Sequence, residues 1–133
     1  MALPRPCRVL VVDDHPDAAE SLARLIQVVG HEACSLTDAT LVERVVAEFR
    51  PHILMLDIAM PPIDGWTLAS ALRRRYAPED LKIVAITGFD GADAHVKSRK
   101  AGFDAHVAKP IDGALIEKIL EQCFAEDMRL PPR

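Results

Sequence analysis

Five short runs rich in β-branched or aliphatic residues alternate along this chain with stretches of helical period, and that alternation constrains the fold more than any other feature. The first run, Arg8–Val12, is too apolar for a half-exposed strand and reads as a buried parallel one. It stops at Asp13-Asp14-His15-Pro16, and Pro16 suits the first turn of a helix that carries Ala18, Leu22, Leu25, Ile26 and Val29 on one face up to Gly30. A weaker strand follows near Glu32–Ser35. Asp38 is expected to cap a second helix with Leu41, Val42, Val45, Val46 and Phe49 inward, and Pro51 ends it. The third strand is expected over His52–Asp57, and the third helix begins after Asp64 and ends near Arg75 and Tyr76. The fourth strand is expected over Lys82–Ile86, with Asp90 capping a short fourth helix near Ala92–Ala101. The fifth strand reads as Ala105–Ala108, and the last helix buries Leu115, Ile116, Ile119, Leu120, Cys123 and Phe124.

Strand and helix in strict alternation require crossover connections, which are right-handed, so the expected fold class is α/β. The arrangement is a single doubly wound sheet of five parallel strands in the order 2-1-3-4-5, flanked by five helices. The chain has 133 residues, half of them hydrophobic and 27% charged, which suits one domain. Its limits are read as 8–125, after an N-terminal extension over 1–7 and before a frayed tail over 126–133. A net charge of −4 gives no support to binding a phosphate backbone, and no direct nucleic-acid contact is expected. No apolar run approaches the ~18 residues of a membrane span, and Met1–Arg8 lacks the apolar core of a signal peptide. Cys7, Cys34 and Cys123 form no C-x-x-C pair, so reduced thiols in the cytoplasm are expected.

In open sheets of this kind ligands bind at the carboxyl ends of the strands, where strands one and three part company. Polar residues collect there. Strand one delivers Asp13 and Asp14, strand three Asp57, strand four Thr87 and strand five Lys109. Any one of them alone reads better as a strand-end cap or turn residue, but together they do not. Carboxylates packed side by side repel by roughly 4 kcal/mol per close pair at an effective dielectric of 20. One ammonium leaves two negative charges over, and a divalent cation closes the balance. Oxygen ligands alone suit Mg²⁺, with a backbone carbonyl in the loop after Asp57 as a further donor. Asp57 then has the surroundings of a nucleophile toward phosphorus, with Thr87 and Lys109 placed to hold phosphoryl oxygens.

With these residues in view, the chain resembles the receiver domains of two-component response regulators, the CheY-like group with a flavodoxin-like fold. The resemblance is carried by Val9-Leu10-Val11-Val12-Asp13-Asp14, by Leu56-Asp57 through Met60-Pro61-Pro62-Ile63-Asp64-Gly65, by Thr87-Gly88 and by Ala108-Lys109-Pro110. It covers about Arg8–Phe124. It implies a phosphoacceptor switch rather than an enzyme, in which Asp57 takes a phosphoryl group from a phosphohistidine on a sensor histidine kinase or a histidine phosphotransfer protein. It further implies Mg²⁺ held by Asp14, Asp57 and the backbone carbonyl of Ala59, with Asp13 acting through water. Thr87 becomes the switch hydroxyl, and Lys109-Pro110 is expected as a cis bond. One position departs from the family, which usually has Tyr or Phe three residues before the lysine: here it is His106, whose ring can turn toward Thr87 as the switch residue or stay a half-exposed strand histidine.

Other residues carry less. His15, His31, His52 and His95 show no i,i+4 pair and read as non-ligands. Trp66 and Tyr76 read as packing, Arg73-Arg74-Arg75 as a solvated helix end, and Asp64-Gly65 as a cap and turn. Gly88 is expected to let a phosphoryl group approach the backbone. A metal-dependent phosphohydrolase would commonly need an acid/base carboxylate two residues after its nucleophile, where this chain has Ala59. A phosphate-independent interaction module would not need all five phosphorylation positions. Both a stand-alone receiver and one cut from a hybrid kinase or longer regulator fit the sequence; the output partner is not named by it.

Overall fold

The computed structural model describes residues 6–58, 65–88 and 100–129. Its sheet has five parallel strands in the order β2-β1-β3-β4-β5. These are β1 (Arg8–Val12), β2 (Glu32–Leu36), β3 (Ile53–Asp57), β4 (Lys82–Thr87) and β5 (Ala105–Ala108). The central strands β1, β3 and β4 are buried almost throughout, as their continuous apolar sequence requires, while β2 at the edge is only half-buried.

Four helices stand among the described residues: α1 (Pro16–Val28), α2 (Val42–Phe49), α3 (Gly65–Arg75) and α4 (Gly113–Arg129). Side-chain alternation along the strands splits the core in two. Val9, Val11, Met55, Ile86 and Val107 face the layer of α1 and α4, with Ile26, Ile116 and Leu120. Leu10, Leu54, Leu56, Ile83 and Ala85 face α2 and α3, with Val46, Leu68 and Leu72. Trp66 and Tyr76 pack against this second cluster, as the sequence suggests.

Several local readings need correcting. Asp38 caps a single 3₁₀ turn, Ala39–Leu41, rather than α2 itself; its carboxylate accepts from the Thr40 N–H at 3.0 Å. The extra turn rotates Leu41 out, leaving it 40% exposed instead of inward. Of the tail expected to fray over 126–133, residues 126–129 continue α4 and the rest lie outside the described residues. Cys7, assigned to an N-terminal extension, is fully buried in the core under α1 and α4. Of the fourth helix expected over 92–101, only Lys100 and Ala101, both helical, lie within the described residues. Among the described residues no helix is long and apolar enough to cross a membrane, and the three cysteines form no disulfide.

Candidate functional site

The carboxyl edge of the sheet brings the candidate residues together because pleat parity and chain direction leave them no alternative. Asp13, Asp57 and Lys109 continue the parity of Val11, Met55 and Val107, so they project on the same side of the sheet, at or just past the carboxyl ends of three strands. Asp13 still belongs to the ladder, its N–H donating to the Leu36 carbonyl at 3.1 Å. Lys109 is held the same way by a 2.8 Å bond from its N–H to the Thr87 carbonyl, and the Lys109–Pro110 bond is cis, as the resemblance implies.

The Lys109 ammonium lies 3.1 Å from Asp13 Oδ2 and 3.4 Å from Asp57 Oδ2. Asp13, Asp57 and Thr87 are buried, whereas Asp14 and Lys109 reach the surface. Burial alone would push the Asp13 carboxyl up, but the His15 backbone N–H and the Lys109 ammonium outweigh it and hold it below the ordinary carboxylate value. Burial likewise works against the charge on Lys109, and Asp13 and Asp57 more than compensate, raising its pKa. The Lys109 ammonium and the Asp13 carboxylate thus each favour the other's charged form, and Asp57 adds to the pull on the ammonium.

Ligand atoms of Asp13, Asp14, His15 and Asp57 all lie within 4.8 Å of one another, an acidic cluster able to hold a metal ion. The donor set fits a cation by a further observation. Asp14 Oδ1 is buried and accepts no hydrogen bond among the described residues, although His15 Nδ1 stands 3.1 Å away. An unsatisfied buried acceptor costs about 1–3 kcal/mol, which a bound cation would relieve. Ala59, the expected carbonyl donor, lies outside the described residues.

Thr87 ends β4 opposite Ala108, and His106 pairs with Ala85 one pleat earlier, so Thr87 and His106 share the face that covers α3. His106 is half-buried. Among the described residues, a Cβ added at Gly88 would meet nothing within 4 Å.

Two residues matter more than their sequence suggests. His15 joins the cluster although it has no histidine partner at helical spacing; its signal is that it follows two aspartates directly at a strand-to-helix turn. Gly65 is more than a turn residue, since a Cβ there would come 2.5 Å from Ile58 Cα and 3.2 Å from the Asp57 carbonyl oxygen. Its N–H donates to the Ile58 carbonyl at 3.1 Å, so the start of α3 is docked against the backbone behind Asp57. Only glycine permits that approach.

Comparison with known proteins agrees with this geometry. The family model for the response regulator receiver domain matches residues 9–121. The chain is 35% identical over 103 residues to the transcriptional regulatory protein PrrA of Mycobacterium tuberculosis, covering 77% of this chain and 43% of that protein. It is 32% identical over 127 residues to the response regulator MprA of a Mycobacterium species, covering 96% of this chain and 53% of the relative. The chain therefore spans about half the length of these curated relatives. Among solved structures, a two-component response regulator of the LuxR family from Aurantimonas superposes with a TM-score of 0.81 at 27% identity, over 90% of this chain and 86% of that one. A family model covering most of the chain, a matching fold and an acidic cluster at the matching edge lead to one conclusion: this chain belongs to the response regulator receiver domains, whose general function is phosphorylation on aspartate.

Proposed function

We propose that Asp57 of this chain is the phosphoacceptor, taking a phosphoryl group from a phosphohistidine of a sensor histidine kinase or histidine phosphotransfer protein. The observation that carries this reading is the Asp57 carboxylate, buried at the end of β3, with the Lys109 ammonium 3.4 Å away and two further aspartates beside it. Attack by an Asp57 oxygen forms the P–O bond as the donor's P–N bond breaks, and the donor imidazole leaves with that electron pair. Lys109 and the Thr87 hydroxyl bind the transferred oxygens, since positioning and charge neutralisation dominate this chemistry. Asp13, Asp14, Asp57 and the Ala59 carbonyl would hold Mg²⁺, which when bound supplies positive charge shared by carboxylates and phosphoryl oxygens. The chain acts as a switch that assists its own phosphorylation and dephosphorylation in the cytoplasm, not as a turnover enzyme. With a net charge of −4 it makes no direct nucleic-acid contact itself.

Acetyl phosphate with Mg²⁺ is expected to give one base-labile acyl phosphate, mapped to Asp57 by mass spectrometry; equal labelling of Asp57→Asn overturns the assignment. For output, Thr87 moves toward the phosphoryl group and the His106 ring follows it along the shared face. Adding beryllofluoride, a phosphoryl mimic, is then expected to shift the His106 ring resonances in NMR spectra. Unshifted resonances would make that ring a bystander.

A further inference from the structure

His15 gives the acidic cluster something an all-oxygen magnesium site does not have, a nitrogen donor. Its Nδ1 lies 3.1 Å from Asp14 Oδ1 and 3.3 Å from Asp13 Oδ1. The Lys109 ammonium is on the other oxygen of Asp13, Oδ2. The carboxylate cluster therefore has two sides, an ammonium side toward Asp57 and an imidazole side that includes the buried, unsatisfied Asp14 Oδ1. An octahedral first-row cation with bonds near 2.1 Å spans about 4.2 Å between opposite ligands, and the four donor atoms here already lie within 4.8 Å. Small side-chain movements suffice to close on it.

We propose that His15 Nδ1 is a metal ligand, making this a mixed nitrogen–oxygen site that binds a late first-row divalent cation such as Co²⁺ or Ni²⁺ more tightly than its carboxylates alone would. The inference rests on the metal-binding reading above. Imidazole adds strongly to the affinity for these ions and little to that for Mg²⁺, which prefers oxygen. The neutral ring offers its Nδ1 lone pair to the cation and keeps its proton on Nε2. The side chain is 75% exposed, so that N–H is free to meet water. The ring is also expendable to the fold. His15 occupies the N-cap of α1 without any side-chain cap bond, and its carbonyl alone accepts the Ala19 N–H at 3.0 Å.

The test titrates the full chain with Mg²⁺ and with Co²⁺ by calorimetry, and records the visible absorption of bound Co²⁺. In His15→Ala, Co²⁺ affinity is expected to fall about 10-fold or more while Mg²⁺ affinity changes by less than about 2-fold. The Co²⁺ spectrum is expected to change with loss of the nitrogen ligand. Asp14→Ala weakens both ions. If His15 is only a counter-charge, its removal moves both affinities together and leaves the Co²⁺ spectrum unchanged, which overturns the proposal but leaves the metal site standing. If the wild-type chain binds neither ion, the metal-binding reading fails with it.

Discussion

At the scale of single residues, two histidines far from the acidic edge hold the start of β1. The Cys7 N–H donates to His31 Nδ1 at 2.9 Å, and the Arg8 N–H to His52 Nδ1 at 2.8 Å. Both bonds require that the ring nitrogen carry no proton. For His31 this puts its N–H on Nε2, where it meets Glu117 Oε1 of α4 at 2.9 Å. His52 titrates with consequences for stability. Burial first, and then the charge of Arg8, hold its pKa below the ordinary 6.5. As pH falls through 6.5 the unfolded chain therefore takes up this proton before the folded one does, so stability conferred by the neutral ring is lost from 6.5 downward. His52→Asn keeps a side-chain acceptor and removes the titration. Its unfolding free energy, measured by urea denaturation, is expected to depend less steeply on pH below 6.5 than that of the wild type. Parallel curves would show that the ring does not titrate differently on folding.

At the scale of elements, Arg73 joins α3 to the strands it covers. Although it heads a run of three arginines that reads as a solvated helix end, its side chain is only 17% exposed. Its guanidinium donates to the carbonyls of Leu81 at 2.8 Å and Gly102 at 2.9 Å, and to Asp104 Oδ2 at 2.6 Å. Asp104 in turn accepts the Ile83 N–H at 2.8 Å, so one planar cation ties the end of α3 to the starts of β4 and β5. Gly102 adopts φ +100°, and a Cβ there would come 3.0 Å from Arg73 Cγ. Burial works against the Asp104 charge more strongly than the Ile83 N–H and Arg73 favour it, and its carboxyl sits above the ordinary range. Removing Arg73 strands that charge. Arg73→Ala is expected to cost about 3–5 kcal/mol in chemical denaturation, and adding Asp104→Asn to recover part of it, because the stranded group is then neutral. Strict additivity of the two substitutions would argue against the coupling.

At the scale of the whole molecule, an acidic cluster able to hold a metal ion would couple folding to the cation concentration. An ion bound only by the native state stabilises it by about 2.7 kcal/mol at one hundred times its dissociation constant. Saturating Mg²⁺ is thus expected to raise the melting temperature by several degrees, by roughly 2–8 °C for each kcal/mol. Asp14→Ala should blunt the rise. A wild-type melting temperature indifferent to Mg²⁺ would remove the site.

The order of strands and helices was legible in the chain because burial leaves a periodic trace: continuous apolar runs for β1, β3 and β4, and one-sided stripes for α1 and α4. Asp13, Asp14, Asp57, Thr87 and Lys109 were legible for a related reason. A parallel sheet sends every strand's carboxyl end to the same edge, so a polar residue directly after an apolar run is located by topology alone. What the sequence could not show depends on distances between residues far apart in it. His31 meets Cys7 and Glu117, His52 meets Arg8, and Arg73 meets Gly102 and Asp104 only after the crossovers close. Arg74 and Arg75 are exposed beside Arg73 with the same composition around them, and only helix phase and the neighbouring β5 turn decide which of the three is buried. The same holds for Gly65, whose missing side chain matters because Ile58 arrives 2.5 Å from where a Cβ would be. Local pattern records which side of an element is buried; which partner waits there is decided by packing.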